Sequence, residues 1–355
     1  MHINSESIIG WYQRHKRDLP WRNTSDPYKI WISEIILQQT RVNQGLEYYL
    51  RFVDRFPDVK TLAAAELDEV LRYWQGLGYY SRARNLHKAA CQINSMYNGV
   101  FPDDYQQILG LAGVGKYTAA AVSSLAFNAA YAVVDGNVYR VLSRLFGVDT
   151  PIDSTTGIKE FSELAQQFLD KSDPGMHNQA LMEFGALQCV PVSPRCELCP
   201  VSAHCVAFKT DAVSQLPVKT TKVKVKNRFL NYLYIEYNGK TFIQRREEND
   251  IWKNLYEFPL IESDKLLATE ELLSHPLFIE IFDGISEVVI VTTSAVRKHI
   301  LTHRHIYATF TTIKINETNS YLSRLTKVAN ADLDRYAFSR LTMLFLEDRY
   351  KTLLE

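Results

Sequence analysis

Four cysteines fall in one short stretch, spaced Cys189-x6-Cys196-x2-Cys199-x5-Cys205. Any fold this chain adopts must gather those thiols and give them something to bind. The remaining cysteine, Cys91, stands alone and is expected to be a buried thiol. The N-terminus is polar and mixed in charge, without an apolar signal core. No apolar run approaches the roughly 20 residues that a membrane helix needs. An intracellular, cytoplasmic chain is therefore expected, and disulfides are rare in that setting, so the cluster reads as a metal site. Tetrahedral sulfur suits zinc or an iron–sulfur cluster. Zinc ribbons more often use two separated Cys-x2-Cys knuckles, so the uneven 6-2-5 spacing favours the cluster.

At 355 residues the chain is too long for one ordinary core, and two domains are expected. Residues 1–209 read as helical. Apolar positions recur near the helical period at Ile30, Ile35 and Leu37, at Leu62, Leu67, Val70 and Leu71, and at Val138, Val141, Leu142 and Leu145. Thr61 and Asp153 stand where helix N-caps are expected. Residues 210–226, with Lys219, Lys222, Lys224 and Lys226, read as a solvated linker. Residues 227–355 change texture. Phe229–Tyr237 is strand-like, Asn238-Gly239 signals a hairpin turn, and Thr241–Gln244 reads as the return strand. Val288–Thr292 and Arg304–Ile315 look like further strands and Ser339–Leu346 like a closing helix, making this half α+β.

Forty Lys and Arg balance forty Asp and Glu. Zero net charge argues against simple coating of nucleic acid but leaves room for a local basic face. Arg14, Lys16, Arg17 and Arg22, then Arg82, Arg84 and Lys88, then Arg140 and Arg144 cluster, as solvated surface or as phosphate contacts.

Leu111-Ala-Gly-Val-Gly115 separates two expected helices, Asp103–Leu109 and Tyr117–Phe127. Gly113 and Gly115 let the chain turn sharply and present N–H groups at the positive end of the second helix, where an anion is favoured. The stretch is either a plain helix–helix turn or a backbone-gripping hairpin. Two carboxylates keep apolar company. Glu34 lies in Trp31-Ile-Ser-Glu-Ile-Ile-Leu37, where burial raises its pKa towards an acid's role. Asp135 follows Ala132-Val-Val134 and precedes Gly136-Asn137, as helix cap, as catalyst, or as both, with capping keeping it ionised.

The segments Trp31–Thr40, Gly76–Leu86, Leu111–Ala119, Val134–Arg144 and Asn178–Ala186, followed by the cysteine loop, together resemble adenine DNA glycosylases in order and content. The resemblance implies a multi-domain fold: an all-α helix–hairpin–helix glycosylase domain with an iron–sulfur loop, then an α+β Nudix-like (MutT-like) domain. It implies a [4Fe–4S] cluster on Cys189, Cys196, Cys199 and Cys205. It implies that Glu34 protonates the departing adenine and that Asp135 stabilises the cationic sugar, directly or through a covalent intermediate, with Tyr117 and Asn137 in support. Arg17, Leu19, Trp21, Arg22, Val42 and Glu183 would form the pocket for the extruded adenine. Gln39 and Tyr79 would fill or wedge the duplex, while Gln39, Thr40 and Leu77 approach the opposite base. Gly113 and Gly115 would hold the backbone, although Ala112 replaces the usual proline. Tyr117 stands where bifunctional relatives carry a Schiff-base lysine, so a monofunctional enzyme is expected, acting as a monomer on double-stranded DNA with A:8-oxoguanine or A:G mispairs.

Ile251–Pro259 resembles the segment before a Nudix box, but no metal-holding box follows: Leu266–Leu273 carries only Glu270 and Glu271. Leu301-Thr302-His303 aligns with the family's lesion-contacting turn, so Thr302 and His303 are expected to meet 8-oxoguanine. His299, His303 and His305 otherwise alternate as a strand surface would.

Overall fold

The computed structural model describes residues 5–220, 225–301 and 303–352. Contacts divide the chain into two units: residues 1–64 with 85–222, and residues 65–84 with 223–355.

Helices α1 (Glu6–His15), α2 (Pro27–Leu37), α3 (Val42–Arg55) and α4 (Val59–Ala64) open the chain, and α5 (Leu67–Trp74) and α6 (Ser81–Met96) follow. Then come α7 (Tyr105–Leu109), α8 (Lys116–Phe127), α9 (Gly136–Phe146), α10 (Thr155–Phe168), α11 (Pro174–Leu187) and α12 (Val206–Lys209). As the apolar spacing predicts, no strand occurs among the described residues before β1. Two expected caps are off by a few residues. Helix α4 starts before Thr61, whose N–H is taken by Asp58. The cap of α10 is Ser154, bonded to the Gly157 N–H; its neighbour Asp153 instead accepts from Thr220. Several of the expected surface cations are structural. Arg144 is 3% exposed and Arg82 9%, and both spend their guanidinium groups on backbone carbonyls.

The described part of the expected linker is not free. Leu216 is buried and accepts from Arg144, and Val218 accepts from the Ile152 N–H. Lys222 and Lys224 lie outside the described residues.

The second unit carries β1 (Lys226–Glu236), β2 (Lys240–Arg245), β3 (Tyr256–Glu257) and β4 (Leu260–Ser263). Helices α13 (Thr269–Leu273) and α14 (Pro276–Ile281) precede β5 (Val288–Thr293), β6 (Arg297–Ile300), β7 (Arg304–Ile315) and β8 (Thr326–Ala329), and α15 (Arg340–Thr352) closes the chain. One sheet runs β4-β1-β7-β5, with β6 also on β7; the other runs β3-β2-β8. Strands β1 and β7 pair in parallel, and Tyr232, Phe310 and Phe345 stack across the sheet onto α15. Asn238-Gly239 does turn the chain, with both residues at positive φ and Tyr237 and Lys240 exchanging hydrogen bonds. Beyond that bridge, however, β1 and β2 diverge into different sheets. The histidines divide as well: His299 is on β6, His305 is on β7, and His303 is in the turn between them.

Candidate active site

Helix α2 starts on Asp26, which caps the Tyr28 N–H, with Pro27 in the first helical position. Its apolar run buries nearly every side chain from Ile30 to Ile36, so Glu34 is carried inward and left 8% exposed. Helix α8 brings Tyr117 against it: the Tyr117 hydroxyl donates to Glu34 Oε2 at 2.6 Å. Burial pushes the Glu34 carboxyl up to about 7, helped by nearby Asp135 and opposed by Tyr117 and Arg22. Burial also holds the Tyr117 phenol well above its ordinary value, so it stays protonated and donates.

Asp135 caps α9 and accepts from the Val138 N–H at 2.7 Å. Asn137 Nδ2 donates to its other oxygen at 2.8 Å. These bonds favour the carboxylate, as the sequence suggests, but burial outweighs them and the net shift is upward. Asn137 is itself held by Arg140, whose Nη2 reaches Asn137 Oδ1 at 3.0 Å and the Gly185 carbonyl at 2.6 Å. Arg140 Nε donates to the Cys189 carbonyl at 2.7 Å, joining the first cysteine to the aspartate through two side chains. Sequence reading leaves this role of Arg140 unassigned. The available signal is the helical period, which puts residues 137, 140 and 144 on one face of α9.

Glu34, Tyr117, Asp135 and Asn137 line one cavity of about 450 Å³, together with Gln39 and Thr40. Leu19, Trp21 and Val42 supply apolar wall, and Gln38, Gln179 and Met182, to which sequence reading gives no role in the site, also line it. Glu183 is buried in the same wall under a double fork. Arg17 Nε and Nη2 lie 2.9 and 2.5 Å from its oxygens, and Arg22 Nη1 and Nη2 lie 2.7 and 2.6 Å away. Burial alone would raise its pKa, but the two guanidinium groups outweigh that and pull it down to about 2. Lys116 is exposed on the first turn of α8 and does not line this cavity.

The hairpin before α8 is fixed from behind. Gly113 has φ +74° and faces Asn85 so closely that a Cβ would sit 2.5 Å from the Asn85 Cβ. The Ala112 N–H, which a proline would lack, donates to Gln92 Oε1 at 2.7 Å. Gly115 is the N-cap of α8 and is exposed, as is Gly113.

Cys189, Cys196, Cys199 and Cys205 ring a second cavity whose other walls include Val141, Leu145, Phe184 and Val201. Arg144 anchors the loop's start, donating to the Val190 and Pro191 carbonyls and lying 3.5 Å from Cys189 Sγ. Burial pushes the Cys199 thiol up to about 11, and repulsion from the other three cysteines adds to it. Among the described residues no three His, Cys, Asp or Glu side chains are arranged around a single ion. Four thiols lining one apolar cavity make a ligand set that fits a thiolate-held metal centre. Cys91 is half-buried and approaches the Ala63 carbonyl.

In the other unit Tyr79 is 47% exposed at φ +46°, while Tyr80 and Leu77 are buried. His303 is exposed, and Thr302 lies outside the described residues.

The helical scaffold that holds these residues is that of the DNA glycosylases of base excision repair. Residues 32–167 match the model for HhH-GPD superfamily base excision DNA repair proteins, and residues 231–348 match the NUDIX domain. A thermostable thymine-DNA glycosylase is 33% identical, with a TM-score of 0.54 over 58% of this chain and 95% of that one. An endonuclease III in non-covalent complex with DNA, 23% identical at a TM-score of 0.51, shares the fold over 58% of this chain and 94% of that one. The adenine DNA glycosylase of Buchnera aphidicola subsp. Acyrthosiphon pisum is 35% identical over 73% of this chain and 74% of its own length. That of Homo sapiens is 42% identical over 59% of this chain and 40% of its own. The chain belongs to the adenine DNA glycosylase family.

Proposed function

We propose that this enzyme removes adenine mispaired with 8-oxoguanine, and less strongly with guanine, from duplex DNA, and leaves an abasic site. The observation that carries the mechanism is a buried carboxyl with a pKa of about 7 sharing one cavity with a half-buried, helix-capping aspartate. Near neutral pH a large fraction of Glu34 is protonated, and Tyr117 occupies Oε2, so the transferable proton sits on Oε1. Glu34 gives that proton to the leaving adenine as the glycosidic bond breaks. Asp135, oriented by Asn137, stabilises the oxocarbenium character that develops on the sugar, and that cation favours its ionised form. Arg17 and Arg22, squared by Glu183, shape the wall that receives the base together with Leu19, Trp21 and Val42.

Gln39 and Tyr79 are non-glycine residues at positive φ, and each is assigned a contact with the duplex, as are Thr40 and Leu77. Gly113 and Gly115 present N–H groups to the backbone phosphate. His303 in the β6–β7 turn, with Thr302, contacts the lesion. In sequence the domains extend over residues 1–209 and 227–355, although residues 65–84 group by contact with the second; the protein acts as a monomer, and it works in the cytoplasm. Among the described residues no helix is long and apolar enough to cross a membrane.

A [4Fe–4S] cluster on the four cysteines holds a loop that buries little apolar surface of its own; in other settings such clusters carry electrons. The purified protein should be brown, absorb near 400 nm and contain about four irons per chain; stoichiometric zinc without iron would refute the assignment.

With the Tyr117 phenol where a lyase needs an amine, and Lys116 outside the cavity, no strand cleavage accompanies base loss. On a duplex with one adenine opposite 8-oxoguanine, strand breaks should appear only after alkali. Breaks without alkali would establish a lyase and return Lys116 to the mechanism.

A further inference from the structure

The exposed ring of Tyr79 is held in a backbone conformation that its own side chain disfavours. Such a residue keeps a positive φ only where its surroundings over-determine it. Here they do so from three sides. Arg82 Nη2 donates to the Leu77 and Gly78 carbonyls at 3.3 and 3.2 Å. Trp74 Nε1 donates to the same Gly78 carbonyl at 3.2 Å. The Gly76 N–H donates to the Tyr80 hydroxyl at 3.4 Å. The Arg82 guanidinium also lies 5.2 Å from the centre of the Trp74 ring and 5.8 Å from that of Tyr79.

That support does not end within the turn. The buried Tyr80 hydroxyl in turn donates to the Phe338 carbonyl at 3.2 Å. Phe338 bridges Tyr256 and stacks on Phe258. On either side of the turn, Arg84 Nη1 donates to the Lys253 carbonyl at 2.8 Å, and Asp68 accepts from Arg245 at 2.9 Å and from the Tyr256 hydroxyl at 3.2 Å. Residues 65–84 therefore group with 223–355, although they stand in the middle of the helical half of the sequence.

We propose that Tyr80 is a positioning residue through which the C-terminal domain sets the geometry of the Tyr79 turn. The C-terminal domain then acts on base extrusion opposite any purine, in addition to contacting a lesion. This rests on Tyr79 entering the duplex, and the test separates the two ideas.

Tyr80→Phe keeps the ring and removes the hydroxyl that joins Gly76 to Phe338. The readouts are the fluorescence rise of a 2-aminopurine beside the target adenine and the single-turnover rate of adenine release. Both should fall about fivefold on a fully paired A:G duplex, the factor expected for one buried hydrogen bond. The rate should return to that of the unaltered protein when flanking mismatches have already unstacked the adenine. Tyr79→Ala should lose the fluorescence rise as well. If Tyr79→Ala loses it and Tyr80→Phe does not, the coupling is wrong and the wedge stands. If neither loses it, the wedge reading fails and the inference with it. If Tyr80→Phe slows the pre-unstacked duplex equally, its role is only structural and the proposal is overturned. Asp68→Asn, which weakens the tie to Arg245 and Tyr256 from a partly exposed position, should show the same pattern at smaller amplitude, and guards against Tyr80→Phe failing to fold.

Discussion

Glu34→Gln should lower the single-turnover release of adenine by about 10²–10⁴-fold, the range for losing a positioned general acid, while duplex binding changes little. The amide keeps the shape of the side chain and can still accept from Tyr117, but it has no proton to give. The same substitution should stabilise the fold, in a pH-dependent way. Glu34 is raised from 4.5 to about 7, so burying it costs nothing below pH 4.5, where it is neutral in both states. The cost grows as the unfolded chain ionises and is complete above pH 7. Glu34→Gln removes it, so the gain should be near zero at pH 4 and approach ~3 kcal/mol at pH 8. Denaturant melts at the two pH values read this directly. In the unaltered protein the chemical step should slow as pH rises through about 7, because the acid form is lost there. A Gln variant that releases adenine at the full rate, or is destabilised equally at both pH values, contradicts the assignment.

Asp135→Asn should cost about 10²–10³-fold in the same step while keeping the helix cap, and, because burial raises the Asp135 pKa, should stabilise the fold slightly at neutral pH. Asparagine caps helices nearly as well as aspartate, so the bond to the Val138 N–H survives and α9 stays anchored. What disappears is the charge facing the sugar. Asp135→Ala separates the two roles, because it should add about 1 kcal/mol of instability from the lost cap to the same catalytic defect. Full activity in the Asn variant would leave Asp135 a cap and nothing more.

Some of this was legible in the chain, for identifiable reasons. The fourfold cysteine spacing and the Gly113/Gly115 hairpin are local patterns, and local patterns survive without a structure. Glu34 was legible because a carboxylate within an apolar helix must be buried. The double-arginine clamp on Glu183 was not, because its partners lie more than 160 positions away in sequence. Arg140 read as one more surface cation until its bonds to Asn137 and the Cys189 carbonyl placed it between the cysteine loop and Asp135. Turn signals have the same limit: Asn238-Gly239 specifies the local reversal of the backbone, whereas the divergence of β1 and β2 is decided by the strands each meets afterwards. The grouping of residues 65–84 with the C-terminal sheet is likewise set by Tyr80, Arg84 and Asp68, whose partners follow roughly 170 or more positions later.

The most direct test of the central claim is a single-turnover assay for free adenine on otherwise identical duplexes with adenine opposite 8-oxoguanine, guanine or thymine. Rapid release is expected opposite 8-oxoguanine, slower release opposite guanine and almost none opposite thymine. No adenine release opposite 8-oxoguanine, from folded protein that binds the duplex, would contradict the proposed activity.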